Sequence, residues 1–104
     1  MLAHIGDADE ILPAGEGEFR LPSSMLLFRA AKSIIIDLSL AADRISEDFK
    51  AANPEVTWSS IHQMRSLLGH HYEGIQRKVV WDTLKYDLPR VRDLLTQALD
   101  DLAE

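Results

Sequence analysis

The sequence predicts an all-α fold, an antiparallel four-helix-type bundle. Apolar residues recur at steps of three and four along most of the chain, which is the period of a helix with one buried face. No stretch alternates apolar and polar residues as a strand would, and no internal repeat appears. We therefore expect a single helical domain over residues 1–104, with short connections between its helices.

Residues 1–22 are expected to hold a short first helix followed by a flexible acidic loop. Leu2 and Ile5 give the helix an apolar side, and Pro13 ends it. The following residues, 13–18, combine proline and glycine with glutamate, a composition typical of a loop.

The longest helical pattern begins at an N-cap provided by Ser23 or Ser24 and runs to about Ala52. Asn53 precedes a proline, which disfavours the helical conformation and stops the helix there. Two apolar stripes on adjacent faces make a band wider than one core contact requires. They consist of Leu27, Ala31, Ile34, Leu38, Ala41 and Ile45, and of Phe28, Ile35, Ala42 and Phe49. The excess favours a homodimer, although a central helix buried on three sides of its own bundle would need the same band.

Two further helical segments complete the bundle. A helix is expected over residues 58–69, capped by Thr57 and ended by Gly69. The last helical stretch covers about residues 75–102. Its apolar stripe passes through Pro89, so we expect a kink or break near this residue.

The amino-acid composition limits the cellular compartment and the classes of partner that we expect for this protein. Cysteine is absent, which excludes disulfides and thiolate chemistry, and no apolar run is long enough to span a bilayer. The amino-terminal residues lack the basic start and apolar segment of a signal peptide, so we expect a cytoplasmic protein without a membrane partner. The net charge of −6 counts against broad nucleic-acid binding through the phosphate backbone.

The charges are unevenly distributed along the chain. Residues 1–18 contain five acids and no Lys or Arg, whereas residues 62–92 contain six Lys or Arg and three acids. This asymmetry predicts either a locally positive surface in the second half or an ordinary solvated face of mixed charge.

Residues 65–72, with the sequence RSLLGHHY, are the candidate functional segment. The guanidinium of Arg65 suits a phosphate, and a histidine such as His70 can take or give a proton near neutral pH. One arginine and one histidine are the minimum for cleaving RNA without a metal, and two copies in a symmetric dimer would supply both an acid and a base. A histidine at a helix C-terminus also has a structural reason to be there, because the helix dipole favours its charged form.

No metal or other cofactor is expected. His70 and His71 are adjacent and point apart, and no pair of histidines has the spacing of a zinc site on a helix. Trp58 and Trp81 are interpreted as core anchors, because no other aromatic residues cluster around them to stack on bases.

The chain resembles the HepT-like family of the HEPN superfamily. The family signature is Arg-x-x-x-x-His-x-Tyr, which Arg65, His70 and Tyr72 fit without a gap. The resemblance is most specific over residues 58–89. The matching order is Pro54, Trp58, Met64-Arg65, His70-x-Tyr72, Val80-Trp81 and Asp87-Leu88-Pro89. It implies an all-helical homodimer, with further assembly open, whose two Arg/His motifs meet across a cleft.

The resemblance also implies a function and roles for the motif residues. It implies an RNA-cleaving toxin of a prokaryotic toxin–antitoxin pair, with Arg65 on the phosphate and His70 transferring protons. A minimal nucleotidyltransferase, the MntA-like antitoxin, would transfer AMP onto Tyr72 and block the site. Ser66 and His71 are candidates for supporting roles.

Two departures from the family pattern leave an alternative open. Ser66 stands where many members have an amide or acid, and Leu40 stands near the acid of a Gly-Glu pair. Leu40 cannot replace a carboxylate. The alternative is therefore a catalytically inactive binding module that a nucleotidyltransferase holds and modifies.

Overall fold

The computed structural model describes residues 1–20, 25–68 and 73–103, and these residues form helices and no strand. The predicted all-α class is confirmed. The α-helices are α1 (Leu2–Asp9), α2 (Glu16–Phe19), α3 (Met25–Asp43), α4 (Glu47–Ala52), α5 (Trp58–Leu67), α6 (Glu73–Asp82) and α7 (Leu88–Ala103). Helix α3 is central: it packs along α5 and also contacts α1 and α6, while α1 reaches α7. Within the described ranges, no helix combines the length and the apolar character needed to cross a membrane.

The amino-terminal segment is more ordered in secondary structure than the sequence indicated. Helix α1 ends at Asp9, a 3-10 turn follows at Leu12–Ala14, and α2 occupies part of the predicted loop. Gly15 adopts a φ of 86°, which redirects the chain, and its carbonyl accepts a hydrogen bond from the Phe19 amide at 3.0 Å. The prediction of a loop over residues 13–18 was wrong because the buried Phe19 side chain anchors this turn to the core.

The long central helix is shorter than predicted. It ends at Asp43 rather than near Ala52, and α4 forms a separate short helix that ends at Ala52. Ser46 caps α4, since its Oγ accepts a hydrogen bond from the Phe49 amide at 3.2 Å. Glu47 and Asp48 in the first turn of α4 also favour a new helix start there. The apolar stripe thus continues through a helix break, which periodicity alone does not reveal.

The apolar band of α3 is mostly buried within the chain. Its buried members are Phe28, Ala31, Ile35, Leu38 and Ala42, while Leu27, Ile34 and Ala41 are half-buried. Leu26 remains 81% exposed and Leu40 remains 40% exposed. Burial of the helix inside its own bundle therefore accounts for most of the band, and the homodimer stays a prediction.

The irregularity expected near Pro89 is present, and it begins earlier. A π-helical segment, Thr83–Asp87, joins α6 to α7, so Pro89 lies in the first turn of α7. Proline has no amide hydrogen, and its ring would clash with the carbonyl four residues before it in a regular helix. A wider turn just before Pro89 removes this conflict.

An aromatic cluster fixes α2 and α6 against α3. The Trp81 ring lies 5.3 Å from the Phe19 ring, which lies 6.2 Å from the Phe28 ring. The buried Arg77 guanidinium packs 4.5 Å from the centre of Phe28 and donates a 3.0 Å hydrogen bond to the Phe19 carbonyl. Trp81 is thus a core anchor as predicted, although aromatic residues do cluster around it, contrary to the reason given from the sequence. The half-buried Trp58 packs on Phe49 at the junction of α4 and α5.

Candidate active site

Arg65 lies in the last turn of α5, and its side chain is held by a carboxylate from α3. The Arg65 NH2 atom is 3.1 Å from the Asp43 Oδ2 atom, and the Arg65 side chain is 29% exposed. Asp43 is the last residue of α3, where the helix dipole disfavours a negative charge. A cation beside Asp43 compensates this unfavourable placement, so the two residues stabilise each other's position.

His62 completes a three-residue cluster with Asp43 and Arg65. Its Nδ1 lies 2.9 Å from the Asp43 Oδ1 atom, the second oxygen of the same carboxyl group. His62 and Arg65 are three residues apart on α5 and therefore share one face of the helix. The His62 side chain is 60% exposed, so the cluster lies on an open surface.

The cluster keeps the Asp43 carboxyl ionised. The hydrogen bond from His62 lowers the pKa of this carboxyl below its ordinary value; burial opposes that effect, and the charges of His62 and Arg65 reinforce it. At neutral pH the Asp43 carboxylate can therefore accept a hydrogen bond on each of its oxygens.

Ser39 lies between α3 and α5, next to this cluster, and helps to fix how the two helices pack. Its side chain is fully buried, and its Oγ donates a 3.3 Å hydrogen bond to the His62 backbone carbonyl. Ser39 lies one helical turn before Asp43, so the two residues contact α5 from successive turns of α3. The small serine permits close packing, and the hydrogen bond fixes the register of the two helices.

The structure describes only part of the predicted site. Arg65 and the exposed Ser66 lie on α5, and the amide of Leu68 closes the helix with a 3.3 Å hydrogen bond to the Arg65 carbonyl. His70, His71 and Tyr72 lie outside the described residues, in the segment that joins α5 to α6. Their predicted roles are therefore not tested by the geometry.

Sequence reasoning missed Asp43 and His62. His62 could have been found from its spacing, because it lies one turn before Arg65 on the same helix. Asp43 carried no local signal, since it was interpreted as an interior position of a longer helix. The carboxylate beside Arg65 is that of Asp43, while Leu40 is apolar and 40% exposed.

Folding pairs the acidic first segment with the basic second half. Lys78 lies 3.0 Å from Glu16 and 3.0 Å from Asp82, and Arg92 lies 2.6 Å from Asp9. These contacts raise the pKa of Lys78, mainly through its hydrogen bonds to Glu16 and then Asp82. With Arg77 buried and Arg65 paired with Asp43, four of the six basic residues in positions 62–92 are engaged inside the fold or with its acids. The charge asymmetry predicted either a locally positive surface or a solvated face of mixed charge. These ion pairs fit the face of mixed charge better.

The chain is similar to proteins named as ribonucleases. The family model described as "Ribonuclease HepT-like" matches residues 1–98. A protein of Thermococcus cleftensis, named a probable ribonuclease HepT, is 38% identical over 52 residues, which are 50% of this chain and 47% of that protein. A protein of Methanocaldococcus jannaschii, named as a candidate RNase, is 30% identical over 64 residues, which are 62% of this chain and 55% of that protein.

The chain spans about half the length of these two curated relatives in the regions that match. No solved structure gives a significant match to it. The family model, in contrast, covers nearly the whole chain, from Met1, which precedes α1, to Ala98 in α7. This chain belongs to the ribonuclease HepT-like family.

Proposed function

We propose that this chain is a metal-independent endoribonuclease that acts as the toxin of a prokaryotic toxin–antitoxin pair in the cytoplasm. Arg65 and His70 are its catalytic residues. The observation that carries the proposal is the orientation of Arg65: Asp43 holds a partly exposed guanidinium on the turn of α5 that leads directly to His70. Membership of the ribonuclease HepT-like family supports the reaction class.

The reaction is a transesterification within the RNA strand. His70 accepts the proton of a ribose 2′-hydroxyl, and the freed oxygen attacks the adjacent phosphorus. Arg65 donates hydrogen bonds to the non-bridging phosphoryl oxygens, where negative charge grows in the transition state. The bond from phosphorus to the 5′-oxygen breaks, and this oxygen takes up a proton. The products carry a 2′,3′-cyclic phosphate and a 5′-hydroxyl.

The proposed assembly is a homodimer in which two Arg65/His70 pairs share one cleft. The exposed Leu40 and Leu26 on α3 leave apolar surface available for such a contact. An open, shared cleft suits a strand of RNA better than a small enclosed pocket would, and the 60% exposure of His62 beside Arg65 is consistent with an open site.

The purified chain should cleave RNA in the presence of EDTA and leave 2′,3′-cyclic phosphate ends. The reason is that the substrate's own 2′-hydroxyl is the nucleophile, so no metal-bound water is needed. End analysis by mass spectrometry of a short RNA checks this, with the same sequence as DNA serving as the control that must stay intact. Products with 3′-hydroxyl and 5′-phosphate ends, or cleavage that stops in EDTA, would contradict the mechanism.

We also propose that a minimal nucleotidyltransferase of the MntA-like kind is the antitoxin and that Tyr72 is its acceptor. Tyr72 lies two residues beyond His70, so an AMP group on its hydroxyl would bring a bulky phosphate next to the catalytic histidine. That phosphate would compete with the RNA phosphate for Arg65. Transfer of AMP would therefore block cleavage without unfolding the chain.

Incubation with such a nucleotidyltransferase and ATP should add the mass of AMP to the wild-type chain and abolish its RNA cleavage. The Tyr72→Phe variant should gain no mass, and Tyr86→Phe, which changes an exposed tyrosine between α6 and α7, should be modified as the wild type is. Intact-mass spectrometry measures all three proteins. AMP on Tyr72→Phe would show that another residue is the acceptor.

A second candidate function is a catalytically inactive module that the nucleotidyltransferase holds and modifies. The pairing of Lys78 and Arg92 with acids favours it, because these bases are then less available to RNA. The two functions differ in one result. An inactive module gains AMP on Tyr72 but leaves RNA intact before modification.

A further inference from the structure

The cluster beside Arg65 contains an imidazole, that of His62, which the proposed mechanism does not use. We propose that His62 donates the proton to the leaving 5′-oxygen and that Asp43 is the positioning residue that holds His62 and Arg65 together. The inference rests on the proposed function and adds to it the source of the second proton transfer.

The contact with Asp43 fixes which nitrogen of His62 can react. A carboxylate only accepts, so the 2.9 Å contact places the proton of His62 on Nδ1. The other ring nitrogen, Nε2, is then the atom that exchanges a proton with a ligand. Since the side chain is 60% exposed, Nε2 is available to a bound RNA strand.

The shared carboxylate also places His62 beside the phosphate. Asp43 Oδ2 lies 3.1 Å from Arg65 NH2, and Asp43 Oδ1 lies 2.9 Å from His62 Nδ1. A phosphate bound by the remaining donors of Arg65 would therefore lie on the same surface as the His62 ring. The leaving 5′-oxygen is bonded to that phosphorus, so it comes within reach of the same ring.

The proton balance of the reaction needs such a group. His70 takes one proton from the 2′-hydroxyl as the new bond to phosphorus forms. His62 starts with both ring nitrogens protonated: it gives the proton on Nε2 to the 5′-oxygen as the old bond breaks and keeps the proton on Nδ1 that it shares with Asp43. After cleavage, His70 carries an extra proton and His62 has lost the proton on Nε2. Exchange with water returns both histidines to their starting protonation states. The acid and the base are thus both present in one copy of the chain.

The buried contact of Ser39 supports a fixed geometry for His62. Ser39 Oγ donates to the His62 backbone carbonyl, and Asp43, one turn later, holds the His62 side chain. Two consecutive turns of α3 therefore position the same residue of α5. The first contact holds the backbone of His62 and the second holds its ring.

The test compares two RNA substrates that differ in one atom. In the second substrate the 5′-oxygen at the cleavage site is replaced by sulfur, and a thiolate leaves without being protonated. His62→Gln should cleave the normal RNA about 100-fold more slowly than the wild type, within the usual range for loss of a general acid. On the sulfur-linked RNA its rate should fall less than about tenfold. His70→Ala should be slow on both substrates, because it removes the base.

Three outcomes would overturn the inference. They are a normal rate of His62→Gln on ordinary RNA, an equal loss on both substrates, and a wild-type chain that cleaves neither. The last outcome also removes the proposed function, whereas the first two leave it standing. His4→Gln, the same exchange on α1, should cleave both substrates at the wild-type rate.

The Asp43 variants separate positioning from folding. Asp43→Asn should lower kcat on ordinary RNA more than on the sulfur-linked RNA and should also raise KM, because Arg65 loses its partner. Asp43→Glu keeps the carboxylate and should recover part of the lost rate. Thermal melts of all variants should match that of the wild type. An equal loss of kcat on both substrates for Asp43→Asn would contradict its role in holding His62.

Discussion

Replacing Arg65 with alanine should lower the rate of RNA cleavage about a thousandfold while the chain stays folded. The loss is that of a charged, oriented donor to the phosphoryl oxygens, which acts most strongly in the transition state. Arg65 forms a partly exposed ion pair with Asp43, and ion pairs near the surface contribute little to the free energy of folding. Cleavage assays and thermal melts of the same protein samples measure the two effects.

Arg65→Lys should recover only a small part of the activity. Lysine keeps the positive charge, but it lacks the planar fork that lets Arg65 contact Asp43 and a phosphate at the same time. Arg29→Ala is the matched control, since it removes the same charge from an exposed position on α3. An equal loss in Arg29→Ala would mean that overall charge, and not the orientation of Arg65, governs cleavage.

Local signals in the sequence were enough for the helical class and several helix ends. Asn53 before a proline stops α4, and Pro89 forces the π-helical segment at Thr83–Asp87, because a proline restricts its own backbone and that of its neighbours. The break after Asp43 was missed for a physical reason. The apolar period continues across it, and the cap at Ser46 was overlooked inside that pattern.

Contacts between distant residues were not accessible from the sequence. Asp43 holds Arg65 only because α3 packs along α5, and Ser39 sets that packing through one hydrogen bond. The ion pair of Asp9 with Arg92 joins residues at opposite ends of the chain. Spacing therefore identified Arg65 as a candidate, while its orientation depends on the tertiary structure.

Replacing His70 with alanine should have an effect as large as that of Arg65→Ala. In the proposed mechanism His70 is the base for the 2′-hydroxyl, and loss of a general base lowers rates by about 100-fold to 10,000-fold. His71 is the natural control, because it is the same residue type at the next position. His71→Ala should retain most of the activity, and both variants should have the same oligomeric state as the wild type in sedimentation experiments.

The ratio of the RNA cleavage rates of His70→Ala and His71→Ala tests the central claim most directly. Both rates are measured in EDTA on one RNA, and the 2′,3′-cyclic phosphate ends are counted. We expect His71→Ala to produce cyclic ends about 100-fold or more faster than His70→Ala. Equal rates for the two variants, with the wild type active, would contradict the assignment of Arg65 and His70 as the RNA-cleaving pair.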